Sequence, residues 1–353
     1  MQTNMMQINQ HLTQRDSRPR APAHDSAMPA PNECAALSDL LAEAAACGYQ
    51  FTTPTPATHQ RYLKNRGPDA ATSLRDIFGW NLPFYASMVS PALLGAMHGA
   101  GVLVASDGRG LLRSSVRIAS LDNMLLFHSA YPTTQADAVF FGPDTYRFAR
   151  FIDQALPHLG NMTHSPRILD VGCGSGAGGL FAARALHKRR AQMQATEVVM
   201  NDINPLALRL TAINAAHAGI AVTLALGDAL AAATGQFDLI ISNPPYMQDA
   251  EKRAYRDGGE GLGRALSVRI AEQALQRLAP GGTLLLYTGV AMTAAEDPFL
   301  TELQPLLEAS GCRWSYEEID PDVFGEELER PDYAQVERIA AVGLVASRNL
   351  ACN

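Results

Sequence analysis

The chain has 353 residues, 47% of them hydrophobic and 18% charged, with a formal net charge of −7. This is an ordinary globular composition, long enough for two domains, and without any uncharged run of about 18 apolar residues, so no membrane span is expected. The excess acid lies in residues 166–353, with sixteen Lys and Arg against twenty-three Asp and Glu, whereas 1–165 carry twelve of each; such a chain is a poor electrostatic match to long nucleic acid, though a local basic patch would still suit it.

Cys34, Cys47, Cys173, Cys312 and Cys352 are odd in number, widely spaced and form no CxxC pair. They read as reduced thiols of a cytoplasmic protein, with neither a disulfide frame nor a metal site. Residues 1–34 are rich in Gln, Pro, Ala and Asn and read as a disordered tail. An organelle address built on Arg15, Arg18 and Arg20, or a start at Met28, are alternatives for this stretch.

From 35 to 135 the pattern predicts a smaller α+β domain. Ser38 to Cys47 reads as an amphipathic helix with Ser38 as N-cap and Gly48 as stop. Further helices are expected after Pro56, from Leu74 to Trp80, and from Pro91 through Met97. Short strands follow at Val102–Ala105, Leu111–Ile118 and Met124–His128, the last after a Leu121-Asp-Asn turn. A winged-helix-like arrangement is one option. At period two, Arg113, Ser115 and Arg117 would share a strand face, either a solvated one or a nucleic-acid or partner surface.

Residues 136–353 read as α/β, a seven-stranded, doubly wound, mostly parallel sheet. The strands are expected at Arg167–Val171, Glu197–Asp202, Ala221–Ala225, Phe237–Ser242, Gly282–Thr288, Arg313–Glu317 and Ile339–Ser347, with helices at Leu206–Ala218, Leu266–Leu278 and Leu300–Ser310 between them. Ligands of such sheets lie beyond the carboxyl ends of the strands.

The first of these strands runs into Asp170-Val-Gly172-Cys-Gly174-Ser-Gly176-Ala-Gly-Gly179. Glycines between a strand and a helix let backbone approach a ligand closely. Gly174, Gly176 and Gly179 also satisfy GxGxxG, so a nucleoside cofactor is expected but its kind is open. Asp202, ending the second strand, can accept both ribose hydroxyls of adenosylmethionine or of a nicotinamide dinucleotide; helix capping by Asp202 or Asn204 ahead of Pro205 is compatible with that. Asp228, after the third strand, is a candidate acceptor for an adenine amino group or a turn residue.

The fourth strand ends in Asn243-Pro244-Pro245-Tyr246. Two prolines stiffen this corner. An amide or aryl amine nitrogen is a poor nucleophile because its lone pair is delocalised. The Asn243 Oδ1 and the Pro244 carbonyl can accept its two N–H bonds, aim the lone pair and stabilise the growing positive charge, while Tyr246 stacks on the planar group. No metal and no strong base are needed.

With these residues in this order, the chain resembles class I S-adenosylmethionine-dependent methyltransferases over roughly Phe140 to Ser347. Within that class it is most similar to the protein-(glutamine-N5) methyltransferases of release factors and their uncharacterised bacterial relatives. The similarity extends to Phe140-Phe-Gly-Pro143-Asp144-Thr145 and to Tyr255-Arg-Asp-Gly-Gly-Glu-Gly-Leu262; the family has an arginine where this chain has Gly142. The resemblance implies that Asp170, Gly172, Gly174, Gly176, Asp202, Asp228 and Asn243 bind S-adenosylmethionine and that Asn243 to Tyr246 hold the acceptor nitrogen. It implies a protein glutamine acceptor. Alternatives are a nucleobase of rRNA or DNA, served by the Arg113/Arg117 hairpin, a small metabolite, and a catalytically silent cofactor-binding protein.

Overall fold

A computed structural model describes residues 31–67, 69–106, 110–159, 165–189 and 196–350. The expected tail before Pro31 and Cys352 lie outside the described residues.

The first helix, α1 (Pro31–Ala46), starts seven residues before the expected N-cap Ser38, inside the segment read as tail. Then come α2 (Pro56–Arg66), capped by the Thr55 hydroxyl on the Thr58 amide at 3.1 Å, and α3 (Pro91–Gly99), capped by Ser90 on Leu93. The helix expected near Trp80 is one π-helical turn, Arg75–Gly79.

The strand expected from Leu111 to Ile118 is broken at Ser115. Its halves belong to separate hairpins: β1 (Leu103–Ser106) with β2 (Leu111–Ser114), and β3 (Val116–Leu121) with β4 (Met124–Ser129). Asp122 and Asn123 turn the second hairpin with φ of 47° and 61°, the left-handed pair that matches strand twist. Arg113, Ser115 and Arg117 therefore share no strand face. Arg117 is buried, donating from Nε to the Ser129 carbonyl (2.8 Å) and from Nη2 to Thr133 Oγ1 (3.2 Å), with its guanidinium pulled down to about 10 by burial. It offers no nucleic-acid surface.

The large sheet has β5 (Arg167–Val171), β6 (Glu197–Asp202), β7 (Thr223–Leu226), β8 (Phe237–Ser242), β9 (Leu278–Met292), β10 (Arg313–Asp320) and β11 (Arg338–Ser347), in the order β10-β11-β9-β8-β5-β6-β7. β11 alone runs against the direction of the other six strands of this sheet. This is the seven-stranded, doubly wound, mostly parallel sheet expected above. Strand β7 sits one to two residues later than expected, and β9 continues four residues past Thr288.

Successive strand side chains face opposite ways. Leu239 and Ile241 therefore join the core under α4 (Pro143–Ala155) and α5 (Ala177–Arg189), while Ile240 joins the core under α7 (Ala265–Arg277) and α8 (Pro298–Ser310). Helix α6 (Pro205–Ala218) serves a third core as well, since its Ala207, Leu210 and Ile213 pack with Leu40, Phe78 and Phe127 from the N-terminal elements. The fully buried Asn214 of α6 binds both backbone groups of Phe127, at 2.9 and 3.2 Å, and the Ser175 carbonyl at 2.8 Å. One amide thus ties hairpin β3–β4 to the glycine loop. Among the described residues, no helix is long and apolar enough to cross a membrane.

Candidate active site

The chain leaves β5 toward β6 and β7, then returns to lay β8 on the other side of β5. A crevice opens beyond the strand ends at such a reversal. Val171 and Ser242 are register partners there, so Gly172 and Asn243 emerge side by side. The Ser242 hydroxyl donates to the Val171 carbonyl at 2.8 Å and closes the junction.

Gly172, Gly174 and Gly176 all adopt left-handed backbone, with φ of 71°, 56° and 81°. The turn is pinned by the Gly172 and Cys173 amides on the Asn201 carbonyl (2.9 Å each) and by the Thr211 hydroxyl on the Gly174 carbonyl (3.0 Å). A Cβ on Gly172 would meet nothing within 4 Å, so backbone faces open space there. Asp202 accepts from the Gly174 amide (2.8 Å) and the Asn204 amide (2.9 Å), and burial raises its carboxyl above the usual range. Asn204 caps α6 through the Leu206 amide, as its place before Pro205 suggests.

Gly172, Gly174, Asp202 and Asn204 line one cavity of about 500 Å³, together with Ile203, Gly227, Asp228 and the whole Asn243–Tyr246 corner. Ile203 is 58% exposed, an apolar surface left open beside a buried carboxylate. Asp228 is exposed and forms a bidentate pair with Arg269, at 2.7 and 2.9 Å. Asn243 is half-buried, and its side chain makes no hydrogen bond among the described residues.

Asp170 and Gly176 stand outside the cavity lining. Asp170 is buried and accepts from the Gly179 amide at 2.7 Å, so it braces the start of α5. Burial, with the Asp202 charge adding to it, raises its pKa to about 7.

Several cavity residues escape a reading of the sequence. Asn201 donates to the Ala225 and Gly227 carbonyls, at 2.9 and 3.1 Å, and holds the loop after β7, leaving its Oδ1 buried without a partner. Pro56 and Tyr131 to Thr134 form a wall from the N-terminal half. That wall is joined to the loop after the Asn243–Tyr246 corner, because Tyr255 donates to the Thr133 carbonyl (2.6 Å) and Ala254 to the Ala136 carbonyl (3.2 Å). Asp144 also lines the cavity and accepts from the Tyr246 hydroxyl, from Tyr287 (2.8 Å) and from Arg147 (3.0 Å). Its carboxyl is raised by burial. The Pro143-Asp144-Thr145 segment was a visible signal, but the Tyr246 partner lies 102 residues away.

Residues 149–297 match the model of the methyltransferase small domain. The release factor glutamine methyltransferase of Deinococcus radiodurans is 39% identical over 133 residues, covering 34% of this chain and 45% of that protein. The one of Bordetella pertussis is 33% identical over 190 residues, covering 50% and 60%. The ribosomal RNA small subunit methyltransferase C of Pasteurella multocida is 34% identical over 118 residues, covering 33% and 31%. The chain spans about half the length of the release factor methyltransferases it matches. It carries a methyltransferase domain of the class I kind and resembles the release factor glutamine methyltransferases.

Proposed function

We propose that the protein is an S-adenosylmethionine-dependent N-methyltransferase acting on a glutamine side-chain amide of a release-factor-like protein. The observation that carries this reading is the place of Asn243, half-buried and without a side-chain partner among the described residues, in the same cavity as Gly172, Gly174 and Asp202.

The residues present fit the donor. The open backbone at Gly172 suits close approach, the Asp202 carboxylate has lone pairs left for vicinal hydroxyls, and exposed Ile203 offers a flat apolar contact to a base. Bound S-adenosylmethionine supplies an electrophilic methyl group on sulfonium. The protein's task is then positional. Asn243 Oδ1 and the Pro244 carbonyl accept the two amide N–H bonds, and Pro244 and Pro245 hold those acceptors still. Both acceptors gain strength as positive charge develops on nitrogen. In this reading residues 136–353 perform the transfer. Residues 35–135 recognise the acceptor, because Pro56 and Tyr131 to Thr134 line the cavity. Cys34, Cys47, Cys173 and Cys312 are free thiols, which suits a cytoplasmic protein.

Incubation with radiolabelled S-adenosylmethionine, release factors, ribosomal RNA and DNA tests the proposal. Label on a release-factor glutamine supports it. Label confined to nucleic acid would overturn the glutamine acceptor in favour of a nucleobase.

A further inference from the structure

Asp144 is a carboxylate buried where a carboxylate is expensive. Moving such a group out of water costs several kcal/mol, and an ion-pair network in its place is seldom more stable than well-packed apolar side chains. Here that cost is offset by donors from three elements: Tyr246 after β8, Tyr287 of β9 and Arg147 of α4. The division of labour is uneven. Oδ1 receives both Tyr287 and Arg147, whereas Oδ2 receives, among the described residues, Tyr246 alone. Arg147 passes the linkage on to Asp320 at the end of β10, at 2.9 Å.

Tyr246 is held on its other sides too. Its ring meets the edge of Phe324 with centroids 6.1 Å apart and planes at 67°. A Cβ on Gly289 of β9 would overlap the ring, so only glycine leaves room for it there. The hydroxyl is the one polar handle on this ring, and Asp144 holds it. Tyr246 ends the corner that begins at Asn243, with only two prolines between them. Fixing the ring holds the backbone of this stiff corner, and with it the Pro244 carbonyl and the Cα from which the Asn243 side chain projects.

We propose that Asp144 is a positioning residue for methyl transfer: through the Tyr246 hydroxyl it sets the orientation of the Asn243–Tyr246 corner, without touching donor or acceptor. This rests on the reading of that corner as the acceptor site. The carboxylate reaches the corner through one side chain, so for the corner its removal and removal of the Tyr246 hydroxyl are equivalent, whatever the loss of the Tyr287 and Arg147 bonds adds in stability.

The test is a double-mutant cycle on the full-length protein with Asp144→Asn and Tyr246→Phe, both near-isosteric. Each single change is expected to lower turnover roughly 10- to 100-fold, the range a misplacement of about 1 Å produces. S-adenosylmethionine affinity by calorimetry should stay the same. The double variant should be no slower than the worse single one, because coupled sites are non-additive. Hydrogen exchange should rise at residues 246–248 in both singles and the double alike. Multiplying losses in the double variant, or unchanged exchange at those residues, would overturn the proposal. Should Asp144→Asn not fold, Tyr246→Phe alone decides through turnover, cofactor affinity and exchange. If the wild type labels no glutamine-bearing protein, the acceptor reading fails, and the exchange measurement still decides whether Asp144 sets the corner.

Discussion

The Ser242 hydroxyl donates to the Val171 carbonyl at 2.8 Å across the two strands whose ends frame the cavity. Both groups are buried, so neither can turn to water instead. This bond fixes the spacing between the glycine turn and the Asn243–Tyr246 corner, which are otherwise separate loops. Ser242→Ala removes this buried hydrogen bond and should cost about 0.5–1.5 kcal/mol of stability in urea denaturation. Loss of donor affinity should accompany it, and a stability change without any affinity change would separate the junction from the site.

Asn243→Ala should lower turnover on the order of 10²- to 10³-fold, as removal of one preorganised polar group at a charged transition state does. Donor affinity by calorimetry should barely move, because Gly172, Gly174 and Asp202, the groups proposed to hold the donor, are untouched. Intact turnover in this variant would refute the role given to the corner.

Asp202→Ala should have the opposite signature. Asp202 holds the Gly174 and Asn204 amides in addition to facing the cavity. Its loss should weaken donor binding at least tenfold, roughly the worth of one or two hydrogen bonds to a charged group. Equilibrium binding of S-adenosylmethionine or its demethylated product measures this directly.

Gly289→Ala forces a methyl group into the Tyr246 ring. Overpacking of this kind costs about 1–3 kcal/mol. The expected result is a lower melting temperature together with slower turnover. A variant as active as the wild type would mean that the ring position is not critical.

Acid should act through His59. It is buried, stacked on Tyr131 at 3.9 Å, and burial together with the Arg117 charge pulls its pKa down to about 4. The unfolded chain binds the proton first, at about pH 6.5. The stability held by neutral His59 is therefore complete above about pH 6.5 and falls away toward pH 4. Asp170, raised to about 7, has the reverse sign over an overlapping range, so the contribution must be read as a difference between variants. His59→Phe should melt below the wild type at pH 8, with the gap closing as pH drops from 6.5 to 4. A gap that stays constant would rule the linkage out.

The large sheet was legible because its strands are apolar runs bounded by glycine and proline; β5, β6 and β8 begin and end where the pattern indicates. The glycine turn, Asp202 and the Asn243–Tyr246 corner were legible for the same reason, each being a local feature at a strand end. The alternation across Ser115 misled. Its period-two pattern fits one strand as well as two, and only the pairing of β2 with β1 and of β3 with β4 shows the break. That break buries Arg117, which by type alone belongs on the surface. The Asp144–Tyr246 and Asn214–Phe127 contacts span 102 and 87 residues, and no local periodicity encodes such distances.

The most direct test is a crystal structure of the protein with S-adenosylmethionine bound. The nucleoside is expected beside Gly172, Gly174 and Asp202, the sulfonium methyl pointing at the space bounded by Asn243 Oδ1 and the Pro244 carbonyl, and the Tyr246 hydroxyl still on Asp144. A donor seated elsewhere, or an Asn243 amide turned away from its methyl group, would contradict it.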